Sequence, residues 1–128
     1  MNSLEITKEF NLEMMFFLEQ MKNNIKTFVS IPTLENVITF LDGYCHGLVG
    51  QLIKKANEEE YIVYKSPDML VKEELVRQCL IPETKRQNTI NPNYTMIMYY
   101  KNKYPDLNQR VLEFILLAIK CYAYEISK

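Results

Sequence analysis

From Leu34 to Ala56 the apolar residues return every three or four positions: Leu34, Val37, Ile38, Leu41, Tyr44, Cys45, Leu48, Val49, Leu52 and Ala56. At about 100° per residue they fill one broad arc of an α-helix. Thr33, just after Pro32, is a suitable N-cap, so the segment reads as a helix of roughly seven turns reaching to about Asn57. A rod of that length with one oily face needs other amphipathic elements to cover it.

The same segment holds all three glycines of the chain, Gly43, Gly47 and Gly50. Each costs a helix interior roughly 1 kcal/mol relative to alanine. On a helical wheel they lie within about 60° of one another, nearly opposite the stripe of Leu34, Leu41, Leu48 and Leu52, with Phe40 beside them. Three arrangements would account for them. The leading expectation is internal: a bare Cα lets another helix of the chain cross closely. The second is a helix break near Gly47 or Gly50. The third is a partner docking into the notch.

The rest of the chain supplies further helices. Residues 11–26 place Met14, Phe17, Leu18, Met21 and Ile25 on one face, with Asn11 as the expected N-cap. Ser66-Pro67-Asp68 combines a cap, a proline at the first helical position and an acid in the first turn. The helix it starts carries Met69, Leu70, Leu75, Val76 and Cys79 and ends before Pro82. Residues 61–65, YIVYK, are strand-like in composition, but one short strand makes no sheet, so an extended connector is expected. Residues 82–91 read as a loop. Asn91-Pro92 restarts a helix, and Pro105-Asp106 stops it and caps the last one. That last segment, LNQRVLEFILLAIKCYAYEI, is apolar around most of its circumference and is expected to be the most buried. The reading is an all-α, single-domain bundle of about five helices spanning residues 1–128.

Composition narrows the function. With 48% hydrophobic and 24% charged residues, the chain can form one core under a solvated surface. Residues 1–9, MNSLEITKE, lack the apolar region of a secretory leader, and the longest purely apolar run, Phe114 to Ile119, is too short to span a bilayer. A cytoplasmic protein without membrane partners is expected. Cys45, Cys79 and Cys121 are odd in number and widely spaced, as buried free thiols would be. His46 is the only histidine and points about 100° away from Cys45 on the helix. A surface imidazole is therefore expected, with no nucleophilic dyad. Zinc would have to draw on Cys45, His46, Cys79 and Cys121, which lack the close pairs of structural zinc sites. No phosphate-binding glycine loop, nucleophile elbow or zinc-protease motif is present. The expectation is a protein that binds, with no catalytic residues, metal or cofactor.

The stretch NIKTFVSIPTLENVITFLDGYCHGL resembles the opening of a family of small bacterial immunity proteins, which protect cells that make contact-dependent growth-inhibition and related polymorphic toxins. Thr33, Leu34, Phe40, Leu41, Gly43 and Tyr44 match that family's capped helix with its Phe-Leu-x-Gly-Tyr core. Thr27-Phe28-Val29-Ser30 stands where members carry a basic Arg-Pro-Gly loop. The likeness covers about one fifth of the chain, and its residues are structural types. It implies a cognate protein toxin as the partner.

Two groups of side chains are candidates for such an interface. Glu58-Glu59-Glu60, with Asp42, Asp68, Glu73 and Glu74 as possible neighbours, would form an acidic patch suited to the basic cleft of a nuclease toxin. Residues 1–64 hold nine acids and five bases (net −4), and residues 65–128 seven acids and ten bases (net +3). From Tyr94 to Arg110 aromatic and basic residues interleave, with Tyr99, Tyr100 and Tyr104 as the candidate contacts. Such residues concentrate in protein hot spots. They also suit single-stranded nucleic acid, although a pI near 5.9 and the lack of a dense basic stripe argue against that partner. The leading reading is an immunity protein that occludes a toxin without turnover. The alternative is a small nucleic-acid-associated or regulatory helical protein using the Tyr94 to Arg110 surface.

Overall fold

In a computed structural model, which describes residues 2–55, 63–83 and 91–128, every regular element is helical. The helices are α1 (Ser3–Met21), α2 (Ile25–Phe28), α3 (Leu34–Lys55), α4 (Pro67–Arg77), α5 (Tyr94–Lys103) and α6 (Leu107–Ser127). Five long helices are thus joined by a single-turn α2. The outer end expected for α3 at Asn57, Tyr61 and Ile62 of the connector, and most of the 82–91 loop lie outside the described residues. Val63 to Ser66 has no regular structure, as expected for a connector.

The first helix begins earlier than its sequence pattern announces. The side chain of Asn2 accepts a hydrogen bond from the Glu5 amide at 2.9 Å, and Asn11 lies mid-helix. Ile6 and Phe10 extend the Met14, Leu18, Met21 stripe toward the N-terminus, and all five are fully buried. Two asparagines after Lys22 end α1, and Ile25 belongs to the separate turn α2. That turn folds Phe28 edge-on against Phe17 at 5.2 Å, while Phe17 stacks on Tyr44 at 3.8 Å.

Thr33 caps α3 as expected, its hydroxyl accepting from the Asn36 amide at 3.1 Å. The helix then runs unbroken through all three glycines. Its apolar arc is buried at Leu34, Val37, Ile38, Leu41, Cys45 and Leu52. The glycines face the opposite way, into the open: among the described residues nothing lies within 4 Å of where a Cβ would sit on any of them. The expected internal crossing is absent there, and so is the break. Burial of the opposite face carries the helix across three unfavourable residues, as tertiary packing commonly does.

The last helix packs against α1, α4, α3 and α5. Val111, Phe114, Ile115, Ala118 and Tyr122 form its buried face. It is apolar beyond what it buries: Leu116 is 39% exposed and Tyr124 65%. Asp106 caps it, accepting from the Gln109 amide at 2.8 Å. Arg110 donates to the carbonyls of Tyr104 and Pro105, which fixes the corner between α5 and α6.

Helix α4 ends at Arg77, earlier than the expected inclusion of Cys79. The Leu80 amide donates to the Leu75 carbonyl and the Cys79 amide to that of Val76, both at 2.9 Å. This is the Schellman pattern, in which the residue before the last donor is left-handed. That residue is Cys79, at φ 60°, where glycine would ordinarily stand.

Two stability measurements follow. Gly43→Ala, Gly47→Ala and Gly50→Ala should each raise the unfolding free energy by about 0.5–1 kcal/mol, seen as a higher urea midpoint, because the methyl enters open space on a helix. Cys79→Gly should stabilise by about 0.5–1 kcal/mol in the same assay, since relief of the left-handed strain exceeds the extra chain entropy glycine brings.

Candidate functional site

The outward face of α6 forms the floor of a long trough, and the same helical period that builds the core builds this surface. Residues opposite Val111, Ala118 and Tyr122 on the wheel, among them Leu116, Lys120 and Tyr124, face out. One half of the trough, with a volume of about 510 Å³, lies between α6, α5 and the turn after α4. Tyr99, Tyr100, Tyr104, Leu80 and Leu116 line it. The other half, of about 620 Å³, lies between α6 and α4 and is bordered by Glu73, Glu74, Arg77, Cys121 and Tyr124. The halves meet at Gln78, Leu117 and Lys120, which line both.

The tyrosines are ordered by one another. Tyr100 is buried and lies edge-on to Tyr99 at 5.4 Å and to Phe114 at 5.9 Å, and it stacks on Tyr104 at 6.0 Å. Lys103 sits 5.6 Å from the ring centres of both Tyr99 and Tyr104, and its ammonium donates to the Tyr99 hydroxyl at 3.1 Å. Tyr99 and Tyr104 are half-buried, so each offers an edge to the trough from a fixed position. At the other end Glu74 accepts a two-pronged hydrogen bond from Arg77 and another from Gln78, which holds its carboxyl below the usual range. Glu73 pairs with Lys65 at 2.9 Å.

The ten candidate contacts therefore separate into three groups. Glu73, Glu74, Tyr99, Tyr100 and Tyr104 come together along the trough. Glu58, Glu59 and Glu60 lie outside the described residues. Asp42 and Asp68 are drawn into the body of the protein, where Asp68 is only 7% exposed and Asp42 has a solvent-shielded Oδ1. Leu80, Leu116, Lys120 and Tyr124 belong to the trough and were not among the candidates. The wheel of α6 carried a signal for Leu116, Lys120 and Tyr124, all on the side away from Ala118. Leu80 is placed by the turn at Cys79, which its sequence does not advertise.

The thiols and the histidine are placed individually. Cys45 is buried against the Met14 sulfur at 3.7 Å, and burial pushes its thiol up to about 12. Cys121 is half-buried, and burial raises it to about 11. Cys79 is exposed, contrary to the expectation of three buried thiols, because it sits in the turn that closes α4. His46 is on the surface as expected, its Nδ1 at 2.9 Å from the Tyr64 hydroxyl. Among the described residues no group of three or more His, Cys, Asp or Glu side chains is placed to hold a metal ion, and no helix is long and apolar enough to cross a membrane.

A thiol-reactive chromophore at neutral pH should label one cysteine per native chain rapidly, Cys79, and all three only after denaturation, because Cys45 and Cys121 combine burial with a scarcity of thiolate. Compared with protein-family models, with curated proteins and with solved structures, the chain matches none.

Proposed function

We propose that this chain is a binding protein without turnover, and specifically an immunity protein whose α6 trough seats a cognate bacterial toxin and covers its active site. The observation that carries this reading is the trough itself. It gathers prearranged tyrosines, exposed leucines and charges of both signs into one continuous surface. Rigid aromatic rings with a polar rim suit a protein partner, because little side-chain entropy is lost on docking. The resemblance around Thr33 to Tyr44 supports the immunity form of the proposal.

The alternative nucleic-acid reading draws on the same tyrosines, but three of the cations near them are held by other groups of the chain. Lys101 pairs with Glu35 at 2.9 Å, Arg110 with backbone carbonyls, and Lys103 with Tyr99. That arrangement favours a protein partner over a phosphate backbone, which needs cations free to release counterions.

Co-expression with a candidate polymorphic toxin, sought first in the neighbouring gene, tests the proposal. Cells should survive toxin expression only when the chain is present. Leu116→Glu and Tyr104→Ala, each confirmed folded by circular dichroism, should weaken the complex by about 2 kcal/mol, near thirtyfold in Kd, and abolish protection. Gly47→Ala, on the far side of α3, should leave protection intact. If Gly47→Ala alone disrupts the complex, the interface lies on the glycine face. Affinity for single-stranded nucleic acid that falls log-linearly with salt, with no toxin protection, would establish the alternative.

A further inference from the structure

A buried joint of polar side chains ties α3 to α4 and to the start of α5, and the trough makes no use of it. Asp68, in the first turn of α4, has both carboxylate oxygens engaged: one accepts from the Ser66 hydroxyl at 2.7 Å, the other from the Asn93 side-chain amide at 3.1 Å. Ser66 therefore spends its hydroxyl on Asp68 and makes no side-chain cap. Lys72, one turn along α4, donates to the Pro92 carbonyl at 3.1 Å and to Asn93 Oδ1 at 2.9 Å, so its charge is anchored on the α5 side. Asp42 reaches toward this joint from α3, near enough to Asp68 for that carboxyl to raise its own. Its Oδ1 is closed off from solvent and has no hydrogen-bond partner among the described residues.

Two neighbouring carboxylates present only acceptors to each other. An ionised Asp42 would keep a desolvated oxygen without a donor and place a like charge beside Asp68. One proton relieves both costs, since it removes one charge and supplies the missing donor. We propose that Asp42 carries a proton in the folded protein, held beside the carboxylate of Asp68, and that this proton is the fastener between α3 and α4. The other titratable groups around the joint are Cys45 on α3, Tyr64 in the connector and Tyr122 on α6, each raised first of all by burial and so neutral across this range. Among the described residues, Lys72 supplies the one charge that opposes the effect on Asp42, which burial and the adjoining Asp68 push up to about 7 from an ordinary 3.8.

The direction of the pH effect follows. The folded chain holds this proton more tightly than the unfolded chain does. The stabilisation is complete below about pH 4, is lost as pH rises through about 7, and changes no further above that.

The chain has three aspartates, Asp42, Asp68 and Asp106, so side-chain carboxyl carbon NMR resolves the question directly. In the wild-type protein one aspartate signal should titrate near neutrality, and it should vanish in Asp42→Asn. Between pH 5 and pH 8 the wild-type folding constant should fall about tenfold or more relative to Asp42→Asn, measured by urea unfolding. The asparagine keeps a donor facing Asp68 at every pH. Histidine is the other side-chain type that ordinarily titrates in this window, so the series is repeated in His46→Gln, where the fall should persist. Three aspartate signals that all finish titrating below pH 5, or parallel pH profiles for wild type and Asp42→Asn, would overturn the proposal. Should Asp42→Asn fail to fold, the wild-type titration decides alone.

Discussion

The fold rests on the burial of one face of α6. Val111, Phe114, Ile115, Ala118 and Tyr122 are each inaccessible to solvent and meet α1, α3, α4 and α5. Burying a large apolar side chain is worth roughly 1.5–3 kcal/mol, and α6 makes the two most extensive helix–helix contacts among the described residues, with α1 and with α4. Ala118 lets partners close in at the middle of the stripe, and Tyr122 ends it with a hydroxyl that donates to the Lys65 carbonyl at 2.6 Å. That one bond also anchors the connector leading into α4, so the polar joint beside it is positioned by the core.

Much of this was legible along the chain, because period and punctuation speak locally. The three-and-four spacing from Leu34, the cap at Thr33 and the Pro105-Asp106 stop each describe events within a few residues, and the structure has each where the sequence places it. The start of α1 is hidden for a local reason too: Asn11 has the chemistry of a cap, but Ile6 and Phe10 continue the stripe behind it. Position outweighed propensity there, as it did at the glycines. Their angular placement was read correctly, but what lies opposite a helix face depends on the rest of the fold. Cys79 shows the reverse case, a left-handed corner imposed on a residue whose chemistry gives no hint of it.

The surface was less legible than the core. The tyrosines between residues 99 and 104 fall in one short helix, so their association could be anticipated. The two acids Glu73 and Glu74 joined them only because α4 lies along the other flank of α6. Asp42 and Asp68 looked like members of an exposed patch, since charge alone cannot say on which side of a helix a carboxylate ends. Their companions Ser66, Lys72 and Asn93 come from separate stretches, and no spacing connects them. Asp42 lies about 100° from Leu41 on the wheel, at the border of the apolar arc, where position along the helix leaves its side undecided.

The pairing of α1 with α6 has a consequence for how the protein is made. The most extensive helix–helix contact in the molecule joins the two elements farthest apart along the chain. The stripe of Ile6, Phe10, Met14 and Leu18 therefore leaves the ribosome well before α6, which supplies the larger part of its cover. Until the final helix has been synthesised, the nascent chain carries uncovered greasy surface, and closure must span nearly the full contour of the chain. Helix α1 can settle first on α3, through Met14 against Cys45 and Phe17 against Tyr44, and the pairing with α6 completes the core afterwards.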